Sequence, residues 1–247
     1  MNPAARSTAP LGAVAGLGSA LAIGWLALVL TTFTMSGDHA HGDAQHDLSF
    51  LVMWAAMSVA MMLPTVASLA LAYAGLGRGR GVTYVLGYLA VWLATAPLAY
   101  ALLTFLHERI WLIAAWLVAG LWQAAPWTRT ALQQCRVSVG GDDPVGLSDS
   151  LIAGLKQGMW CCVACLPLMV AGMALAMLLA PVAGILVMLG LTAVMIWEKW
   201  RARTAAPAQF TRLLRISAVA IAVLGVSVVA ATTWVGSASQ SQHHHQQ

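Results

Sequence analysis

The side chains best equipped for chemistry in this sequence are soft ones. Cys161, Cys165, Met169, Met173 and Met177 recur every four residues, with Met159 and Cys162 beside them, and a second series runs Met53, Met57, Met61 with Met62 adjacent. Thioether and thiolate ligands select Cu(I), whereas carboxylate and carbonyl oxygens favour magnesium or calcium. A third group lies between Met35 and Asp47, where His39, His41 and His46 are interleaved with Asp38, Asp43 and Asp47. Imidazole suits copper, zinc and nickel, and the carboxylates attract any cation. Each group has a plain alternative: methionine is a flexible gap-filler, buried cysteine is ordinarily an inert small hydrophobe, and a polar loop is ordinarily a solvated connector.

Two further features belong to the same inventory. Cys162 and Cys165 form a CxxC, a spacing that serves thiol-disulfide exchange as well as metal binding. Cys135 falls in a long loop on the side assigned below to the cytosol, where thiols are kept reduced, which leaves metal or redox chemistry rather than a structural disulfide. His243, His244 and His245 near the C-terminus read either as a metal-gathering tail or as an added tag.

The elements that must position these groups follow from composition. Of 247 residues 60% are hydrophobic and only 8% charged, and mean hydropathy is +0.80, far from the roughly 25% charged residues of a soluble domain. The chain is an integral membrane protein dissolved by lipid, and nothing in its charge distribution indicates nucleic-acid binding. Apolar runs long enough to cross a bilayer fall near 11 to 33, 48 to 74, 82 to 105, 110 to 126, 154 to 179, 181 to 198 and 212 to 235. Pro181 divides a stretch too long for one span. The expected fold is therefore all-α, a polytopic membrane bundle of about seven helices in a single domain 1–247, with a His-rich outer loop at 34–47 and a polar tail at 236–247. The first run exceeds a signal-peptide core and is read as an anchor.

With the N-terminus inside, Arg6, Arg78, Arg80, Arg129, Arg136, Lys156, Lys199, Arg201, Arg203, Arg212 and Arg215 all fall inside and only Arg109 outside. That imbalance assigns a cytoplasmic N-terminus and a periplasmic C-terminus in a bacterial inner membrane. All seven histidines then lie outside the membrane on the outer side, so no span offers imidazoles to a membrane haem, and the last span has no lysine for a retinal Schiff base. No hydrolytic triad, HExxH or phosphate-binding loop falls on a plausible element, and no enzymatic activity is expected.

Smaller expectations concern packing. Gly154 and Gly158 form a GxxxG that permits close helix approach, with Gly184 and Gly190 relieving packing in the same way. Pro64 and Pro167 are expected to kink their helices. Gln123 is expected to serve helix packing, and Glu198 with Lys199 to end the sixth span by pairing locally or reaching water.

In order along the chain, Trp54xxMet57xxxMet61Met62xPro64, Gly87Tyr88xxxTrp92, Gly120xxGln123xxPro126, Cys135Arg136, Gly154xxxGly158xxCys161, Gly172Met173 and Glu198Lys199 resemble a bacterial family of metal-binding integral membrane proteins, domain of unknown function 2182, over roughly residues 50–200. Members are sometimes labelled copper chaperones, so the resemblance implies metal handling. It also marks departures. Where the family usually shows a Lys and a further Cys upstream of CysArg, this chain has Thr128 and Ala131, and the first cysteine of the pair ending at Cys165 is Ala164; Cys162 stands as a substitute.

The residues and the resemblance together give a metal-binding membrane protein handling Cu(I), with silver and zinc as alternatives. The candidate ligands are His39, His41, His46, Met57, Met61, Cys135, Cys161, Cys162 and Cys165. Copper would be captured at the outer loop, held among the intramembrane sulfurs and delivered to a membrane or periplasmic cuproprotein. The alternatives are a membrane thiol-disulfide redox protein and an accessory subunit of a membrane complex. A thiolate about 10 Å into the fifth span is costly unless neutralised by a cation or kept protonated, and metal would supply that cation.

Overall fold

The computed structural model describes residues 11–35, 43–106, 108–135, 146–204 and 207–244, with side-chain surroundings outside the description at 31–47, 109, 202–208, 210, 211 and 230–244. Ten α-helices occur among the described residues: α1 Leu11–Met35, α2 Asp43–Met57, α3 Leu63–Gly75, α4 Arg80–Ala94, α5 Ala96–Phe105, α6 Arg109–Ala124, α7 Pro126–Gln134, α8 Leu147–Leu178, α9 Pro181–Thr204 and α10 Pro207–His244. A π-helical turn, Ser58–Met62, joins α2 to α3. Six helices or continuous helical stretches are long and apolar enough to cross a membrane, and a bent pair formed by α6 and α7 makes a seventh. The bundle is thus all-α and polytopic, as the apolar runs require, and Pro181 does begin a new helix.

Several boundaries differ from those read in the sequence. The His-rich segment is not a loop throughout 34–47, because α1 runs to Met35 and α2 begins at Asp43. His46 is therefore helical, while His39 and His41 lie outside the described residues. The polar tail at 236–247 continues α10 as far as His244. The helix of the fourth span, α6, ends at Ala124, close to the expected boundary, and beyond a 64° bend the chain runs on as α7. Pro126 opens that helix, a position where its missing N–H costs nothing.

Prolines shape the interior by freeing carbonyls that other groups then occupy. Pro167 sits inside α8 without interrupting it; it cannot donate to the Val163 carbonyl four residues back, and the Trp122 indole Nε1 donates there instead at 2.7 Å. Pro126 similarly leaves the Trp122 carbonyl to the Thr128 hydroxyl at 2.6 Å. Trp122 thereby ties α6, α7 and α8 together, helped by its edge contact with Trp127. Between α2 and α3 the π turn precedes Pro64, and its extra residue per turn displaces the side chains that follow it.

The closest crossing is between α4 and α8. A Cβ on Gly87 would stand 2.5 Å from the Leu151 carbonyl oxygen, and one on Gly158 would stand 2.9 Å from that of Tyr88. A Cβ on Gly154 would overlap the Tyr84 carbonyl. Backbone meets backbone here because three glycines allow it, and the crossing sets Tyr88 beside the middle of α8. Gly184 also packs, against the Ala176 carbonyl at 2.9 Å, but Gly190 meets nothing within 4 Å and relieves no contact.

Candidate functional site

Cys161 is the centre of a buried polar cluster contributed by four elements. Its Sγ accepts from the Lys199 ammonium at 3.0 Å and from the Tyr88 hydroxyl at 3.1 Å. The Cys165 thiol lies one turn further along the same face of α8, also buried, and the Met62 Sδ lies 4.0 Å away. Lys199 Nζ donates in addition to Thr65 Oγ1 at 2.7 Å, and Thr65 in turn donates to the Met62 carbonyl at 2.6 Å. Tyr88 reaches the same carbonyl at 3.4 Å. Cys161, Tyr88 and Met62 are wholly buried and Lys199 nearly so.

Each position has a local cause. Cys161 and Cys165 share one face of α8 because residues four apart do so. Met62 closes the π turn, five residues after Met57, so it faces α8 through a register that a regular α-helix would not give. Tyr88 follows Gly87 at the close α4–α8 crossing. Lys199 comes from the C-terminal part of α9, where it was expected to reach water; it turns inward instead, as does its neighbour. Glu198 and Lys199 have different partners: the Glu198 carboxylate accepts from Gln123 Nε2 at 3.1 Å and from Ser217 Oγ at 2.9 Å, joining α9 to α6 and α10. Gln123 thus does serve helix packing, although its Oε1 has no partner among the described residues.

The chemistry of the cluster is that of a charge-compensated thiol. Two donors converge on one sulfur, one of them an ammonium, so the cation that a thiolate needs at this depth is supplied by the chain itself. From the sequence that role falls to a metal; in the structure a lysine ammonium already stands there. Around that pair lie a second thiol and a thioether, both soft ligands. None of the four cysteines forms a disulfide.

Of the residues singled out in the sequence, the structure brings together Cys161 and Cys165. Cys135, buried at the end of α7, and Cys162 are within electrostatic reach of Lys199. Met57 and Met61 belong to the same buried core. The His46 side chain lies outside the description, like His39 and His41. Among the described residues no three His, Cys, Asp or Glu side chains gather into a metal-binding group; the soft set relies on methionine. Met62, Tyr88, Thr65 and Lys199 were not among the sequence candidates, although a lysine beside an apolar run is by itself a signal of function in a membrane. At the departures from the resembled family, Thr128, Ala131 and Ala164 are all buried.

A family model, PpoB2, described as copper chaperone, matches residues 51–228. That range contains every motif quoted above and all four elements of the Cys161 cluster. No curated protein and no solved structure matches the chain.

Proposed function

The chain belongs to the PpoB2 copper chaperone family, and from that premise we propose that it carries Cu(I) as cargo between Cys161 and Cys165, with the Met62 thioether as a third soft contact. The observation that supports this most directly is the convergence of two thiols and a thioether beside a buried ammonium. Cu(I) between two thiolates carries one negative charge, which Lys199 balances. Before loading, a Cys161 thiolate opposite Lys199 is equally neutral while Cys165 keeps its proton. Loading then exchanges Cu(I) for one proton and leaves no net charge in the apolar interior, where an unbalanced charge is expensive.

Capture at His39, His41 and His46 and delivery to a membrane or periplasmic cuproprotein complete the proposal. His46 and Met62 are 16 residues apart, about 24 Å of helix at 1.5 Å per residue. The buried thioethers of Met53, Met57 and Met61 occupy that interval and supply soft steps between the two ends. The basic-residue imbalance supports an inner-membrane location with the histidines outside.

The test is copper analysis of the purified full chain, its C-terminal His tract removed, beside a Cys161→Ser/Cys165→Ser variant, under reducing, copper-replete conditions. Copper bound by the parent and lost in the variant is expected. No copper in the parent, or equal copper in both, refutes the thiol site and returns the accessory-subunit reading. A redox protein would instead show a cysteine pair whose alkylation changes after oxidation.

A further inference from the structure

A cavity of about 300 Å³ lies next to the Cys161 cluster, lined on three helices by Leu69, Tyr84 and Gln157. Leu69 is four residues after Thr65, Tyr84 four before Tyr88 and Gln157 four before Cys161. Residues four apart share a helix face one turn apart, so α3, α4 and α8 each place the cavity one turn from the thiol, in the same direction. That direction leads to the end of the bundle where the α3–α4 turn meets the start of α8, Gly79 against Leu147, and where Arg78 and Arg80 lie. Gln134 of α7, the residue before Cys135, forms a fourth wall. Tyr84 and Gln157 are buried at the floor, while Lys156 and Gln134 are exposed at the mouth.

We propose that this cavity is a second port, at the basic end of the bundle, through which the thiol site exchanges Cu(I) with a small anionic thiol, in addition to the capture route that begins at the histidine end. This rests on the Cu(I) reading above and adds its route and exchange partner. Amide and phenol groups suit a polar occupant rather than a lipid tail, Lys156 favours an anion at the mouth, and the volume falls at the lower end of small-ligand sites. The metal keeps its oxidation state throughout. One copper–sulfur bond to the carrier breaks for each bond formed to Cys161 or Cys165, and the departing carrier takes up the proton that Cys165 releases. The floor lies about one turn, roughly 5.4 Å along the helix axis, from Cys161, so the transfer needs no passage across the bilayer.

The test uses the full chain in membrane vesicles of both orientations, loaded from Cu(I)–glutathione on the outside, with equilibrium copper content measured separately in detergent. Loading from this thiol complex, which the histidine loop has no thiol-exchange site to accept, is expected only in vesicles that expose the basic end. Ala153→Trp, which fills the cavity, is expected to slow it by about tenfold or more without changing equilibrium content. Lys156→Glu, at an exposed position that leaves folding intact, is expected to slow loading from the anionic complex by roughly threefold and to spare loading from an uncharged thiol complex. Normal equilibrium copper with loading from the opposite face, or with rates indifferent to both variants, overturns the port and leaves the thiol site standing. Absence of copper at equilibrium in the parent overturns both.

Discussion

Replacing Lys199 by methionine tests the charge balance directly. Without copper the variant loses hydrogen bonds of 2.7 Å to Thr65 and 3.0 Å to Cys161. Hydrogen bonds to charged groups contribute about 1.5–3 kcal/mol each, but an uncompensated Cys161 can take a proton, so a net loss of about 2 kcal/mol is expected for the empty protein. With copper that escape closes, because protonating either sulfur breaks a copper–sulfur bond. The buried anion then stands unpaired at a cost of about 3–5 kcal/mol. The difference, about 2 kcal/mol, corresponds to Cu(I) binding about 30-fold weaker. Competition with a chromophoric Cu(I) chelator in detergent measures it, and Lys199→Arg, which keeps the charge, should lose less. In a Cys165→Ser background Cu(I) on Cys161 alone is neutral, and Lys199→Met should then change affinity by no more than about threefold. An unchanged affinity in Lys199→Met, or the full loss persisting in the Cys165→Ser background, would refute the reasoning.

Other expectations concern the scaffold. Gly154→Ala should force α4 from α8 and lower thermal stability in detergent by about 2 kcal/mol or more, as overpacking against rigid backbone does, whereas Gly190→Ala, with open space at its Cβ, should raise stability by about 0.5–1 kcal/mol. Glu198→Leu should cost about 1–3 kcal/mol through the stranded Gln123 amide, the Ser217 hydroxyl keeping the Leu214 carbonyl as acceptor, while leaving copper stoichiometry intact; loss of copper there would tie Glu198 to the metal. A reporter placed within Arg201 to Ala206 should report the cytoplasm and one after Gly236 the opposite compartment; both on one side would break the orientation drawn from the basic residues.

The seven crossings were legible because hydropathy is a property of consecutive residues. The meeting of α8 with Met62 and Lys199 was not, since it depends on how helices cross. The methionine series shows why: regular four-residue spacing points to Met57 and Met61, but the π turn inserts an extra residue and hands the contact to Met62. Lys199 was placed at the water boundary because the sixth apolar run ends at Glu198, and only the Thr65 and Cys161 partners reveal that it turns inward. Pro126 was taken as an end when it is a beginning, because a proline that cannot continue one helix is well suited to open the next. Gly154 and Gly158 were read correctly, since a GxxxG encodes its own geometry, whereas nothing in the sequence separates the packed Gly184 from the open Gly190.

The opposed partners of Glu198 and Lys199 give α9 the character of an axle. Successive residues are set about 100° apart around the helix, so the carboxylate is held between α6 and α10 while the ammonium is held between α3 and α8. Any rotation that draws the ammonium away from the sulfur must also pull the carboxylate from its seat. A torque on one side of the bundle is therefore felt on the other, and the contact of Lys199 with Cys161 is mechanically geared to the seating of α10.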